Sequence, residues 1–286
     1  AAGDAARGGT AVVTLEPCAH TGRTGPCTQA LLDAGISKVI YAVGDPNPAA
    51  SGGAKVLRKA GVTVIAGAHA REAEAGALRA WLHSMRAARP FVTWKYAATL
   101  DGRVAAADFT ARWISSTASR ADAHALRAKV DAIMVGSGTV LTDDPSLTAR
   151  DADGELLERQ PLRVVLDRRH RVPQSAQVLD NAAETLVLDT AVPRFALKAL
   201  FDRGVRHVLL EGGPTLAGSF VEARCVDEVI AYLAPTLLGE GPSALGHAGI
   251  GSLAEAVTLD VHSVTRTGGD IKVVGTPVWG EPAGER

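Results

Sequence analysis

Two cysteines, Cys18 and Cys27, stand in the stretch TLEPCAHTGRTGPC at residues 14–27, with eight residues between them. Each follows a proline, and His20 lies between them. Thiolate and imidazole are the ligands zinc favours, and a catalytic zinc keeps one position open for water. The sharper C-x-x-C spacing is absent, so the pair reads either as two metal ligands or as two small buried thiols. Cys27 falls where a helix is predicted to begin, and a helix N-terminus favours thiolate. His20 reads more simply as a loop histidine than as a third ligand, and Cys225 as a core residue.

Three further stretches carry chemistry: KYAATLDGR at 95–103 with RWIS at 112–115, the long run LRAKVDAIMVGSGTVLTDDPSLTAR at 126–150, and EGGPTLA at 211–217. Lys95 sits inside a predicted strand, where a lysine is rare unless paired. GGPT before a helix offers backbone N–H groups to an anion, or is a tight loop whose glycines relieve strain. Arg127 and Arg150 can clamp a sugar phosphate through their planar forks, or simply be solvated. Asp143 and Asp144 suit hydroxyls or an amide, and Trp113 is a core filler or a wall against a flat ring. GSGTVL lacks the third glycine and the downstream acid of a dinucleotide fingerprint.

These residues need elements to hold them. The chain has 286 residues, 47% hydrophobic and 21% charged, which suits two globular domains. A net charge of −1 removes the basic face that nucleic-acid binding needs. No apolar run is long enough to span a membrane, and no signal peptide is evident. Three cysteines make no disulfide framework, so a reducing cytoplasm is the expected setting. Strands are predicted at 10–15, 38–43 and 62–66, with helices at 27–34 and 53–60 between them and one long helix over 70–88. Pro90 stops that helix, placing the boundary at Arg89–Pro90 and the domains at 1–88 and 89–286. The second domain reads as a strand at 91–98, a helix at 119–129, then DAIMVGSGTV as a strand and a glycine turn. Strands follow at 162–166, 185–188 and 207–210, with a helix at 193–203. A helix after EGGPT, a strand in VDEVIAYLAP and a hairpin turned at Gly268–Gly269 complete an α/β pattern.

The loop E-P-C-x-H-x-G-R-T-x-P-C resembles the deaminase domain of the bifunctional riboflavin-biosynthesis deaminase/reductase family, over about the first 85 residues. That resemblance implies a cytidine-deaminase-like fold in which Cys18 and Cys27 are two zinc ligands. It also implies a third ligand, a histidine in an H-A-E motif that carries the general acid/base glutamate. None of the eight histidines is followed by Ala-Glu. The motif belongs upstream of the TLEPC strand, so the chain is read as N-terminally truncated and its deaminase as inactive. His20, Arg23 and Thr24 would lie near a substrate phosphate.

From about Arg89 onward the three stretches, in this order, resemble the reductase domain of the same family, which is dihydrofolate-reductase-like. The resemblance implies that Ala97, Trp113, Thr139, Asp143 and the turn Gly213, Pro214, Thr215, Leu216, Ala217, Gly218 and Ser219 meet NADPH. It implies that Lys95, Arg127, Leu147, Arg150 and Glu211 hold a phosphorylated ribosylaminopyrimidine. Ala111 stands where some relatives carry a substrate-facing serine. Arg168 is a candidate reader of the cofactor 2′-phosphate. Lys95, with Asp101 or Glu211 beside it, is the candidate catalytic group near the reacting carbon, and a water can supply the proton. The expected cofactors are NADPH and, for the first domain, zinc. The expected assembly is a homo-oligomer, with no nucleic-acid or membrane partner. The alternatives are a dihydrofolate-reductase-like enzyme on another pterin or pyrimidine, a non-catalytic zinc-binding module, or a fragment that binds NADPH without turnover.

Overall fold

β-branched and apolar residues dominate Thr10–Leu15 (β1), Lys38–Val43 (β2) and Thr63–Ala66 (β3), and these pair in parallel in the order β1-β2-β3. Parallel neighbours need crossovers, supplied by the helices Cys27–Asp33 (α1) and Gly53–Lys59 (α2). The structure, a computed structural model, describes residues 2–22 and 24–280. It divides into two compact units, residues 1–88 and 89–286. A single turn of 3-10 helix, Gly3–Ala6, precedes β1. Val39, Leu57 and Val62 form one buried cluster of the first unit, and Leu82 with Ala42 and Val43 another.

The helix predicted over 70–88 is instead two, Ala70–Ala75 (α3) and Arg79–Ala87 (α4). Gly76 leaves helical geometry at φ −94°, ψ −132° while its N–H still reaches the Glu72 carbonyl. Alanine content favours one long helix, but a single glycine lets the chain turn there.

The second unit is a mixed eight-stranded sheet. Its strands are Phe91–Thr99 (β4), Ala132–Gly136 (β5), Leu162–Leu166 (β6), Thr185–Leu188 (β7), His207–Leu210 (β8), Glu228–Ala234 (β9), Thr258–Thr267 (β10) and Asp270–Val278 (β11). Their order is β10-β11-β9-β4-β8-β5-β6-β7, parallel from β9 to β7 and antiparallel at the β9–β11–β10 end. The hairpin joining β10 and β11 turns at Gly268 and Gly269, with Gly268 at φ 61°. Thr117–Arg127 (α5), Ser137–Asp143 (α6), Pro193–Asp202 (α7) and Pro214–Glu222 (α8) are the helices of this unit. Valines and leucines of β4, β5, β6 and β8 are buried in two clusters, one with α7 and α8, the other with α6. Among the described residues no helix is long and apolar enough to cross a membrane.

GSGTV, predicted as a turn, forms the start of α6. Val140 is only 2% exposed, packed beside Ile133 and Val165. Burying that side chain stabilises the helix by about 1.5–3 kcal/mol, more than the roughly 1 kcal/mol that Gly138 costs it.

Candidate active site

The parallel strands β4, β5, β6 and β8 deliver their carboxyl ends to one side of the sheet, where ligands of open α/β folds bind. A cavity of about 720 Å³ opens there, within the second unit. Each wall comes from a different strand end: Lys95 and Ala97 from β4, Gly136 to Thr139 after β5, Arg168 after β6, and Glu211 to Leu216 after β8.

One wall is electrostatic. Glu211 follows the last residue of β8, and its side chain is 10% exposed. Arg127, at the end of α5, meets it with both prongs, Nε to Oε1 at 2.7 Å and Nη2 to Oε2 at 2.9 Å. Lys95 Nζ stands 3.9 Å from Oε2. Burial pushes the Glu211 carboxyl up, but Arg127 and Lys95 outweigh it and hold the group at about 2. Burial pushes the Lys95 ammonium down, opposed by Glu211 and assisted by Arg127. The net arrangement is one partly buried carboxylate between two partly buried basic groups.

Beside it the cavity is lined by glycines, Gly136 and Gly138 after β5 and Gly212 and Gly213 after Glu211. Gly213 precedes α8 and Pro214 is its first residue, where the missing N–H costs nothing. The Gly213 N–H donates to Thr139 Oγ1 at 3.2 Å, tying this turn to α6. A Cβ on Gly212 would come within 2.6 Å of Leu216 Cδ2, whereas one on Gly138 would meet nothing within 4 Å. Backbone N–H groups of the first turn of α8 have no intrahelical acceptor. Arg168, Arg169 and Arg171, after β6, line the same cavity. Open glycine backbone, a helix N-terminus and a cationic end fit an elongated phosphate-bearing ligand such as a dinucleotide.

The expected site residues divide. Lys95, Ala97, Thr139, Asp143, Arg168, Glu211, Gly213, Pro214, Thr215, Leu216 and Ser219 line the cavity, as does Ala111. Burial raises the Asp143 carboxyl against the opposing charge of Arg112. Arg127 stands behind Glu211 as its clamp, with Nη1 donating to the Thr148 carbonyl, rather than facing the cavity. Asp101 is remote from Lys95: its carboxylate accepts from Thr99 Oγ1 and from the N–H groups of Leu238 and Gly239, which hold it at about 2. It pins the turn after β4. Leu147 is 2% exposed in the core, and Arg150 is half-buried on the loop after α6, donating to the Gly154 carbonyl. Trp113 is neither core filler nor cavity wall. It is 68% exposed, with the Arg120 guanidinium 4.4 Å from its ring.

Ala217 and Gly218 face the core, and Gly218 is a packing residue. A Cβ there would fall 2.0 Å from the His247 carbonyl oxygen. Gly218→Ala is therefore expected to destabilise the second unit by about 1–3 kcal/mol, despite the better helix propensity of alanine. Urea unfolding followed by tryptophan fluorescence reads this, and a raised midpoint would contradict the close backbone approach. Sequence reasoning missed Phe109, Arg169 and Arg171 as lining residues. The run DRRHR at 167–171 was the available signal for the two arginines.

In the first unit Cys18 and Cys27 do converge, Sγ to Sγ at 3.3 Å, and α1 begins at Cys27. The Cys27 thiol is pushed up by its hydrogen bond with Cys18 and by burial. Among the described residues no third histidine, cysteine, aspartate or glutamate joins the pair. Two thiols alone do not fit a catalytic zinc, which takes three protein ligands. His20 folds towards Gly22, its Nε2 3.2 Å from where a Gly22 Cβ would stand. Arg23 lies outside the described residues.

Comparison with known proteins agrees with the second unit's geometry. Residues 90–273 match the RibD C-terminal domain family. The riboflavin biosynthesis protein RibD of Mycobacterium tuberculosis (strain ATCC 25618 / H37Rv) is 50% identical over 270 residues, covering 94% of this chain and 79% of that protein. The solved structure of Acinetobacter baumannii RibD, form 1, superposes with a TM-score of 0.88 at 35% identity, covering 97% of this chain and 83% of that one. A Thermotoga maritima diaminohydroxyphosphoribosylaminopyrimidine deaminase/5-amino-6-(5-phosphoribosylamino)uracil reductase gives 0.86 at 30% identity, covering 95% and 80%.

Proposed function

Because this chain belongs to the RibD family of riboflavin biosynthesis proteins and carries that family's C-terminal reductase domain, we propose that its second unit uses NADPH to reduce the ribosyl group of 5-amino-6-(5-phosphoribosylamino)uracil to ribityl. The observation that supports the reading most is one cavity lined by Lys95 and Glu211, the carboxylate clamped from behind by Arg127, together with the glycines after β5 and β8 and three arginines after β6. NADPH, when bound, supplies the hydride. Thr139, Gly213, Thr215 and Ser219 would hold its phosphates, and Arg168 its 2′-phosphate. Lys95 would sit near the sugar carbon C1′ of the open-chain imine and stabilise the polar atoms there, while Glu211 opposes the burial that pushes its ammonium down. Arg127 acts through Glu211. Arg150, close enough to His124 to help lower that imidazole, is the candidate for the substrate phosphate. Holding the phosphate directs remote binding energy into orientation at the reacting carbon.

We further propose that the first unit is the zinc-binding part of a cytidine-deaminase-like domain. Its Cys18–Cys27 pair supports this; among the described residues the pair lacks the third ligand that a catalytic zinc takes. The experiment is NADPH oxidation by the full chain. Supplied with the deaminated ribosylaminouracil phosphate, it is expected to turn over; supplied with the undeaminated diaminopyrimidine, it is expected to stay flat. A folded, NADPH-binding chain that leaves the first substrate untouched would overturn the reductase reading.

A further inference from the structure

We infer that Tyr232 is a positioning residue whose ring face holds the Lys95 ammonium at the reacting end of the cavity. The inference rests on the reading of Lys95 given above. In the sheet, Ala97 of β4 pairs with Tyr232 of β9, and Tyr232 with Lys272 of β11. Residues two apart on a strand share a face, so Lys95, Ala97, Tyr232 and Lys272 project from the same side. Tyr232 is fully buried, and its ring is pinned by its hydroxyl, which donates to Asp122 Oδ2 at 2.7 Å. Lys272 Nζ donates to the same oxygen at 2.6 Å. The Lys95 and Lys272 ammoniums each stand 5.6 Å from the ring centroid. Lys272 is held by Asp122 as well as by the ring, whereas Lys95 has no carboxylate within hydrogen-bond length among the described residues.

The carboxylate cannot do this job alone. Both Glu211 oxygens are engaged by Arg127, and at 3.9 Å the Lys95 contact is beyond hydrogen-bond length. Glu211 therefore attracts the ammonium without directing it. An aromatic face within about 6 Å supplies the directional contact, and its effect grows when the cation is desolvated. The charged and titratable groups around Lys95 are Glu211 after β8, Arg127 and His124 on α5, and Asp122 and Lys272 beyond the ring. Asp143 on α6 lines the same cavity. Tyr232 couples the two sets.

The test separates the ring face from the hydroxyl and from packing. Tyr232→Phe keeps the face and loses the donor; phenylalanines of increasing fluorination at 232 keep the shape and drain the face. Turnover, NADPH affinity by fluorescence, melting temperature and the pH dependence of kcat/KM are measured for each. Tyr232→Phe, which unpins the ring but keeps its face, is expected to lower kcat/KM for the pyrimidine, and full fluorination to lower it about tenfold further, with NADPH affinity unchanged. A weaker face stabilises the ammonium less, so Lys95 loses its proton earlier. The alkaline limb is expected to move down by about one pH unit. A purely structural ring would leave that limb in place. Unchanged kcat/KM and an unmoved limb across the fluorinated series, with Lys95→Met inactive, would overturn the role of Tyr232 alone. Lys95→Met with full turnover would overturn the reading of Lys95, and the tyrosine inference with it.

Discussion

Glu211→Gln is expected to lower kcat/KM for the pyrimidine by about 10²–10³-fold, the range for removing one preorganised electrostatic partner, and to destabilise the second unit as well. Glutamine keeps the shape but not the charge. Arg127 and Lys95 would then lose the anion that both approach in a partly buried cluster. Breaking a buried pair by removing one partner costs about 3–5 kcal/mol. For a unit of this size that lowers the melting temperature by roughly 10 °C. Differential scanning calorimetry and steady-state kinetics on the same preparation read both effects.

The pH dependence gives the sign. The Glu211 carboxyl is held at about 2, below its ordinary value of 4.5. A depressed carboxyl stabilises the fold above its unfolded pKa and loses that contribution as pH falls through the folded one. The stability gap between parent and Glu211→Gln should therefore be full at neutral pH and narrow between about pH 4.5 and pH 2. A gap that is flat across this window would mean that Glu211 is not the buried anion of the cluster. A variant that melts lower yet turns over normally would make Glu211 a structural carboxylate and detach it from the reaction.

The legible parts of this protein are those that local chemistry writes. Pro214 and Gly213 announce the start of α8, Gly268 and Gly269 announce the last hairpin, and Lys95 in a strand announces a partner. The partner itself is a different matter. Glu211 lies far along the chain from Lys95, and Arg127 far from both; only the parallel pairing of β4 with β8, and the packing of α5, brings them together. Two candidates, Asp101 and Glu211, were equal in sequence, and the turn after β4 sent Asp101 elsewhere. The same limit applies to Arg127. Its type suits a phosphate, and no local pattern says that its fork is already occupied by Glu211. Tyr232 is silent in sequence for the opposite reason: a tyrosine in an apolar strand reads as core, and it is core. What a strand pattern does not carry is the register that sets its ring beside two lysines. Single glycines act in opposite ways on two helices. Gly76 interrupts an alanine-rich run, and Gly138 is carried into α6 by the burial of Val140.

Arg168→Ala is expected to erode the preference for NADPH over NADH by about 10–100-fold, the equivalent of one charge-assisted hydrogen bond of roughly 1.5–3 kcal/mol. Arg168, Arg169 and Arg171 share the end of the cavity beyond β6, but they are not equivalent. Arg171 is already committed, its Nη2 donating to Ser137 Oγ at 2.9 Å. Asp167, next in the chain, is buried and accepts the Val172 N–H at 2.9 Å, which fixes the loop that carries Arg168. Arg168 is exposed and faces the cavity, so its fork can close on a dianion without breaking an existing pair. The effect should fall on KM for NADPH, leaving KM for NADH and the kcat of both cofactors nearly unchanged, because the 2′-phosphate is far from the transferred hydride. Rising salt should weaken NADPH binding to the parent more than to the variant, since screening acts on the exposed pair that the substitution removes. If the ratio of kcat/KM values for the two cofactors stays where it was, Arg168 is not the reader. Arg169→Ala, its neighbour on the same wall, would then be expected to carry the loss, because Arg171 cannot leave Ser137 without uncovering the start of α6.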